Sequence, residues 1–378
     1  MPITCHPIPK APESEVDFGV EVRGLDLENL SETDFKSLRT ILYTHQVVVI
    51  KNQQSLTPAA QYTLTRRFDP SAGVYSHGTS ISNKSILHRD LTTIPSQPQV
   101  QVIGHGHVPS YEGLTNLNLQ HPHHRTFHKH PIPESLDRDF THFYRWHIDS
   151  AMYDLDPPLV TSLLAVTLPP KRHQTVLYSD DPTTTSPSLR VPLGTTAFIS
   201  GSNMLSLLTP EEQSFILTSK IEYAAHPYIW LRNARSRSTG LGIITESLEL
   251  PLSSLPPISP DKIKTYPMVW KNPVTRTLAM MVYPTCARRI HLADGSVIDD
   301  LAEVRETLYK LQRRAIEPQL VYPHDWEEGD LVLFNNHGVM HSIVGSFGEG
   351  EVRLFRQCNM AGSRGPLGPE DPVPVEGN

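Results

Sequence analysis

Short apolar and β-branched runs, broken by proline, glycine and polar turns, set the pattern of this chain. Val47–Ile50 is four consecutive aliphatic residues and predicts a strand buried on both faces. The runs at 160–168, 175–178, 189–192 and 195–199 predict further strands. Residues 268–270 and 278–282 flank a turn and predict a hairpin, and a strand over 330–334 leads toward His341. Helical spacing is rarer. Phe35, Leu38, Ile41 and Leu42 fall on one face behind the start signal Ser31-Glu-Thr-Asp34, and Thr57-Pro58 opens a helix to about Phe68. Thr209-Pro-Glu-Glu212 is a capping box for a helix through about Ser219. Leu301, Val304, Leu308 and Leu311 form the inner stripe of a helix over 299–314. Many short strands with a few covering helices predict a mainly β fold around a double-stranded β-helix, a cupin-like jelly roll, as one domain over 1–378. Residues 1–17 read as a proline-rich N-terminal extension, loose or at a sheet edge. Residues 69–140 carry little periodicity and predict functional loops around a site, and 361–378 read as a C-terminal tail.

Composition narrows the class. Lys plus Arg is 33 and Asp plus Glu is 40, a formal charge of −7, which argues against nucleic acid as a partner. Cys5, Cys286 and Cys358 are too few and too scattered for a disulfide framework or a thiolate zinc site. No run approaches the ~18 apolar residues of a membrane span, and the N-terminus lacks a signal-like apolar region, so the reading is cytoplasmic. A small molecule is the expected partner, and a homo-oligomer is compatible with the sequence.

The chemistry centres on Arg145-Trp-His147-Ile-Asp149. On a strand, the H-x-D spacing turns His147 and Asp149 to one face, giving two members of a 2-His-1-carboxylate set. Among 19 histidines such a pair is a weak signal. It gains weight from Trp326-Glu-Glu-Gly-Asp330 through Asn336 to His341, followed by Arg353. Two imidazoles and a carboxylate without thiolate favour iron over zinc.

The order H-x-D, then Thr175, then W-x-x-G-D-x-V with Asn336 and His341, then Arg353 twelve residues later, resembles the Fe(II)/2-oxoglutarate dioxygenases of the taurine dioxygenase family. Residues 18–27 and 42–50 resemble that family's first strand, helix and strand, and the similarity spans roughly 18 to 360. Within the family, the stretches at 100–106, 121–124, 143–149, 336–341 and 355–359 look most like the fungal xanthine dioxygenases. The resemblance implies Fe(II) on His147, Asp149 and His341, and 2-oxoglutarate gripped by Arg353 with a hydroxyl from Thr175. O2 is the second cosubstrate. It implies oxidation of a C–H bond with decarboxylation of 2-oxoglutarate to succinate.

For the primary substrate, strand alternation groups Gln357 and Asn359 with Arg353, while a bulge would bring Arg356 in instead. Gln101, Gln120, Ile343 and Phe347 complete the candidates. A second reading is an aliphatic amino acid such as L-valine, hydroxylated or closed to an aziridine, and a third is a non-enzymatic cupin-like binding protein. His121, His123, His124, His128 and His130 read as a polar loop serving capping, packing or substrate contacts rather than a second metal site, as do His105 and His107. His45 reads as a buried structural histidine, and His337 is the rival of His341.

Overall fold

The computed structural model describes residues 2–72, 92–179 and 187–373. Its central element is a nine-stranded sheet. In spatial order the main path runs Thr4–Pro7, Val20–Arg23, Val47–Ile50, Leu331–Asn335, Val160–Thr167, Arg353–Asn359, Gln97–Tyr111 and Thr92–Ile94, and Leu114–Leu119 pairs with Gln97–Tyr111. A three-stranded sheet of Tyr322–His324, Thr196–Ser200 and Val339–Ile343 closes over one face. Phe198, Tyr322 and Val339 from the small sheet pack with Val47, Val49, Leu163, Val332 and Phe355 from the large one. Apolar faces of two sheets meeting in this way are the core of a jelly roll, and they explain why residues distant in sequence become neighbours.

The outer face is covered by Pro58–Arg67, whose Gln61 amide donates to Ser162 Oγ at 3.2 Å and whose Thr65 hydroxyl lies 2.7 Å from the same oxygen. Thr57 caps that helix and Pro58 occupies its first turn, as the sequence requires. Glu32–His45 is capped by Ser31, Pro210–Thr218 carries the full capping box, and Asp300 caps Leu301–Gln312. The hairpin Val269–Lys271 with Leu278–Met280 forms as expected.

Several expectations need correction. The 69–140 region is not a set of loops, because Gln97–Tyr111 is a fifteen-residue strand that turns into Leu114–Leu119. Its periodicity is hidden because its inward positions include Gln101 and His105, which face the interior of the barrel rather than an apolar core. The part at 73–91 lies outside the described residues. Residues 1–17 do place a strand, Thr4–Pro7, at the sheet edge as expected, but Ile8 and Val16 are buried in the inter-sheet core. The 361–378 segment is docked at least through Gly362, which bridges to Asp156, and Leu367, whose carbonyl accepts from Lys271. His45 is only half-buried, at the last turn of its helix.

The segment carrying His147 and Asp149 is extended without being a regular strand. It is tied at Trp146, whose N–H donates to the Gly240 carbonyl at 2.9 Å. Gly240 has φ +70°, and a Cβ there would lie 2.5 Å from the Phe143 carbonyl oxygen. Gly240→Ala should therefore combine left-handed strain with a backbone clash and cost about 2 kcal/mol or more. Thermal unfolding of the variant, several degrees below the parent, checks this.

Candidate active site

The His147 segment and the strand Val339–Ile343 are joined by a two-way backbone bridge: each of His147 and His341 donates its N–H to the other's carbonyl at 2.9 Å. Directly bridged residues in an antiparallel pair present their side chains to the same side. The two imidazoles accordingly sit 4.1 Å apart between ring centroids. Asp149 Oδ1 lies 3.9 Å from His147 Nε2 and 3.6 Å from His341 Nε2. These three side chains form a group whose ligand atoms all fall within 4.8 Å of one another.

Each member is held for the task. His147 Nδ1 faces the Arg145 carbonyl at 3.0 Å; donation there leaves the Nε2 lone pair for a metal. Burial first, then His341 and the Arg145 charge, keeps His147 well below the ordinary imidazole range. Burial also lowers His341, with the Asp149 carboxylate opposing it. Both rings are thereby neutral, the form that ligates. Asp149 Oδ2 accepts from Thr161 Oγ1 at 2.6 Å, Asn359 Nδ2 at 3.1 Å and Gln357 Nε2 at 3.2 Å. Three donors on one oxygen fix the carboxylate and leave Oδ1 to the histidines. Asn336 clamps the backbone behind it: its Oδ1 accepts the Asp149 N–H at 2.8 Å, and its Nδ2 donates to the Asp149 and Pro158 carbonyls at 2.9 Å.

Arg353 opens the strand Arg353–Asn359, on the same inward face as Phe355, Gln357 and Asn359. Its guanidinium carbon lies 3.8 Å over the Phe355 ring, and its Nε donates to the Gly194 carbonyl at 3.2 Å. Gly194, at φ +75°, leaves no room for a side chain, since a Cβ there would lie 3.2 Å from Arg353 Cδ and Nε and from Phe347 Cζ. Arg353 Nη2 is buried with no hydrogen-bond partner among the described residues. Burial lowers its pKa to about 9. A desolvated cation with an idle donor is a site built for an anion.

The remaining candidates divide. Gln101 is buried and lies opposite Gln357 in the strand pairing, so it shares the inward face. Ile343 follows His341 by two residues on its strand and packs against the main apolar cluster. Phe347 stacks on His105 at 4.9 Å and meets His121 edge-on at 4.8 Å, beside Arg353. Thr175 is half-buried on the strand His173–Leu177, its N–H donating to the Asp139 carbonyl.

Arg356 is the clear correction. It points to the opposite face, where its guanidinium donates to the Leu56 carbonyl and lies 3.6 Å from Glu112. The pairing irregularity next to Leu354 skips Val166 of the partner strand, so alternation along Arg353–Asn359 survives. Gln120 is also displaced: it is exposed after the strand Leu114–Leu119, while its neighbour His121 turns inward onto Phe347. His337 is outside the group, with Nε2 3.1 Å from the Pro157 carbonyl.

Sequence reasoning missed Thr161. Thr161 could have been noticed as a polar residue at the head of an otherwise apolar strand. His121, expected among its neighbouring histidines to serve capping, packing or substrate contacts, lies edge-on against Phe347. Among those histidines, His123, His124 and Asp137 also form a group of ligand type. There, however, His123 Nδ1 accepts the Arg125 N–H at 3.1 Å, which leaves a proton on Nε2 toward Asp137, and Arg125 itself pairs with that carboxylate. This is a hydrogen-bonded capping network.

Known proteins resemble this chain in sequence and in fold. The family described as taurine catabolism dioxygenase TauD, TfdA family matches residues 7–359. The alpha-ketoglutarate-dependent xanthine dioxygenase xanA of Emericella nidulans is 60% identical over 364 residues, covering 96% of this chain and 98% of that one. Its counterpart xan-1 of Neurospora crassa is 57% identical over 366 residues, covering 95% and 86%. A solved structure of a putative alpha-ketoglutarate-dependent taurine dioxygenase from Burkholderia xenovorans has the same fold, with a TM-score of 0.59 at 17% identity over 100% of this chain and 96% of that one. The chain belongs to the TauD/TfdA family of dioxygenases, enzymes that use 2-oxoglutarate and O2.

Proposed function

We propose that this enzyme oxidises xanthine to urate, consuming 2-oxoglutarate and O2 and releasing succinate and CO2. Atoms balance in that equation, with one oxygen atom of O2 in urate and the other in succinate. The observation that carries the reading is the 60% identity to a xanthine dioxygenase along nearly the whole of both chains. The site is compatible with it: Gln101, Gln357 and Asn359 put amide groups on the face beside Asp149, suited to the donors and acceptors of a flat purine.

His147 Nε2, Asp149 Oδ1 and His341 Nε2 would hold Fe(II). The fit rests on two neutral imidazoles, one carboxylate with its second oxygen already saturated, and the absence of sulfur from the set. Iron bound there supplies the redox chemistry that couples 2-oxoglutarate decarboxylation to substrate oxidation. Arg353 takes the distal carboxylate of 2-oxoglutarate through its idle Nη2, and Thr175 contributes a hydroxyl hydrogen bond. Phe355 and Phe347 keep water from the guanidinium, which strengthens that contact. Thr161, Gln357 and Asn359 hold the Asp149 carboxylate in one orientation through each cycle. Three unpaired cysteines, two of them buried, accord with a cytosolic setting.

Anaerobic addition of 2-oxoglutarate to the Fe(II)-loaded protein should produce a weak visible charge-transfer band. A native protein without it, or a band surviving in both Asp149→Ala and His341→Ala, would sink the assignment of the site. Arg353→Lys keeps charge but loses the fork, and should raise the 2-oxoglutarate requirement ~30-fold, about 2 kcal/mol, with a much smaller change for the primary substrate. Steady-state titration of each substrate separates the two effects. Thr161→Val removes the shortest hydrogen bond to Asp149 and should weaken Fe(II) affinity about 10-fold or more, read by equilibrium competition with a metal indicator. Urate formation from xanthine tests the substrate directly. Turnover stimulated by an aliphatic amino acid without any urate would replace it.

A further inference from the structure

Four arginines are buried among the described residues: Arg145, Arg305, Arg353 and Arg356. Two have carboxylates. Arg305 pairs with Glu249 at 2.6 Å and Glu246 at 3.3 Å, and Arg356 has Glu112 at 3.6 Å. Arg353 awaits the cosubstrate in the reading above. Arg145 is left over, 4% exposed, with Nε and Nη1 buried and without a hydrogen-bond partner among the described residues.

What surrounds Arg145 is aromatic. Its guanidinium carbon lies 5.6 Å from the Tyr144 ring, 5.5 Å from Tyr228 and 5.7 Å from Tyr283. None of these supplies a counter-charge. Tyr228 donates its hydroxyl to the Ser150 carbonyl at 2.6 Å, burial keeps Tyr228 and Tyr283 protonated, and the neighbouring Cys286 thiol is pushed up to about 12 by burial. Cation–π contacts return only about 0.5–2 kcal/mol each, against a desolvation cost of several kcal/mol for a buried ion. The balance closes when an anion arrives.

The position says which anion. Arg145 precedes His147 by two residues and shares with it the Tyr283 ring, which lies 5.7 Å from the guanidinium carbon and 6.2 Å from the imidazole, and its charge is felt at both His147 and His341. 2-Oxoglutarate has one carboxylate for Arg353 and uses its other end on the metal, so it has nothing left for a second arginine. We propose that Arg145 anchors the primary substrate, and that this substrate is bound as a small planar oxyanion. The tyrosine rings give the subsite flat walls, which suit a conjugated ring. This inference rests on the purine reading and adds the charge state: xanthine is held as its monoanion. A carboxylate is the other source of the same chemistry.

The test is equilibrium binding to the Fe(II)- and 2-oxoglutarate-loaded protein without O2, for the parent, Arg145→Gln and Arg145→Lys. Arg145→Gln should weaken xanthine about 30-fold or more, leave 2-oxoglutarate affinity unchanged, and be partly rescued by Arg145→Lys. Equal xanthine affinity in the parent and Arg145→Gln overturns the proposal. Should Arg145→Gln not fold, calorimetry on the parent protein decides, in buffers of different protonation enthalpy below the ionisation of free xanthine. Release of about one proton on binding supports an anionic ligand, and no release overturns it. A parent that ignores xanthine but binds an aliphatic amino acid, and loses it in Arg145→Gln, refutes the purine reading and keeps the role of Arg145. A parent that binds neither refutes both.

Discussion

The pair of backbone hydrogen bonds between His147 and His341 is the constraint on which the rest depends. One partner sits on a regular strand and the other on a segment that forms no strand of its own. Without the bridge, 193 residues of intervening chain would leave the two imidazoles unrelated. Asn336 performs the same service for Asp149, taking the backbone N–H and returning two bonds from its own amide. The ligand geometry is therefore set by main-chain register, and side-chain rotamers only finish it.

Around that bridge the barrel interior changes character along a single strand. Arg353, Phe355, Gln357 and Asn359 share one face, and they pass from cation through aromatic ring to two amides that end on Asp149. The opposite face holds Leu354 and Cys358 against Val100 and Val102. One seven-residue strand thus serves a packed apolar layer and a polar chamber, with period two keeping them apart. A slip by one residue would exchange the layers, turning Arg356 into the chamber and Arg353 out of it.

Much of this was legible in the sequence where local rules govern. The helix starts at Ser31, Thr57 and Thr209 were readable because capping needs only neighbours along the chain. The His147, Asp149 and His341 grouping was readable through motif order, and the alternation from Arg353 to Asn359 through strand period. The strand Gln97–Tyr111 was not, because its inner face is polar and erased the apolar rhythm by which strands are recognised. Thr161 and Arg145 escaped for a related reason. Their meaning lies in what they touch across the barrel, or in what they fail to touch, and neither leaves a mark at short sequence range.

The unpaired nitrogen of Arg353 ties the protein's folding to the anion it would bind. A guanidinium buried against Phe355, with Nη2 idle, raises the free energy of the empty barrel. Whatever carboxylate settles there repays that debt to the fold as well as to the reaction. Because only the folded chain offers the site, the concentration of an anion bound there enters the unfolding equilibrium logarithmically. On the proposed pairing of Arg353 with 2-oxoglutarate, the protein with that molecule bound is held folded more firmly than the protein without it.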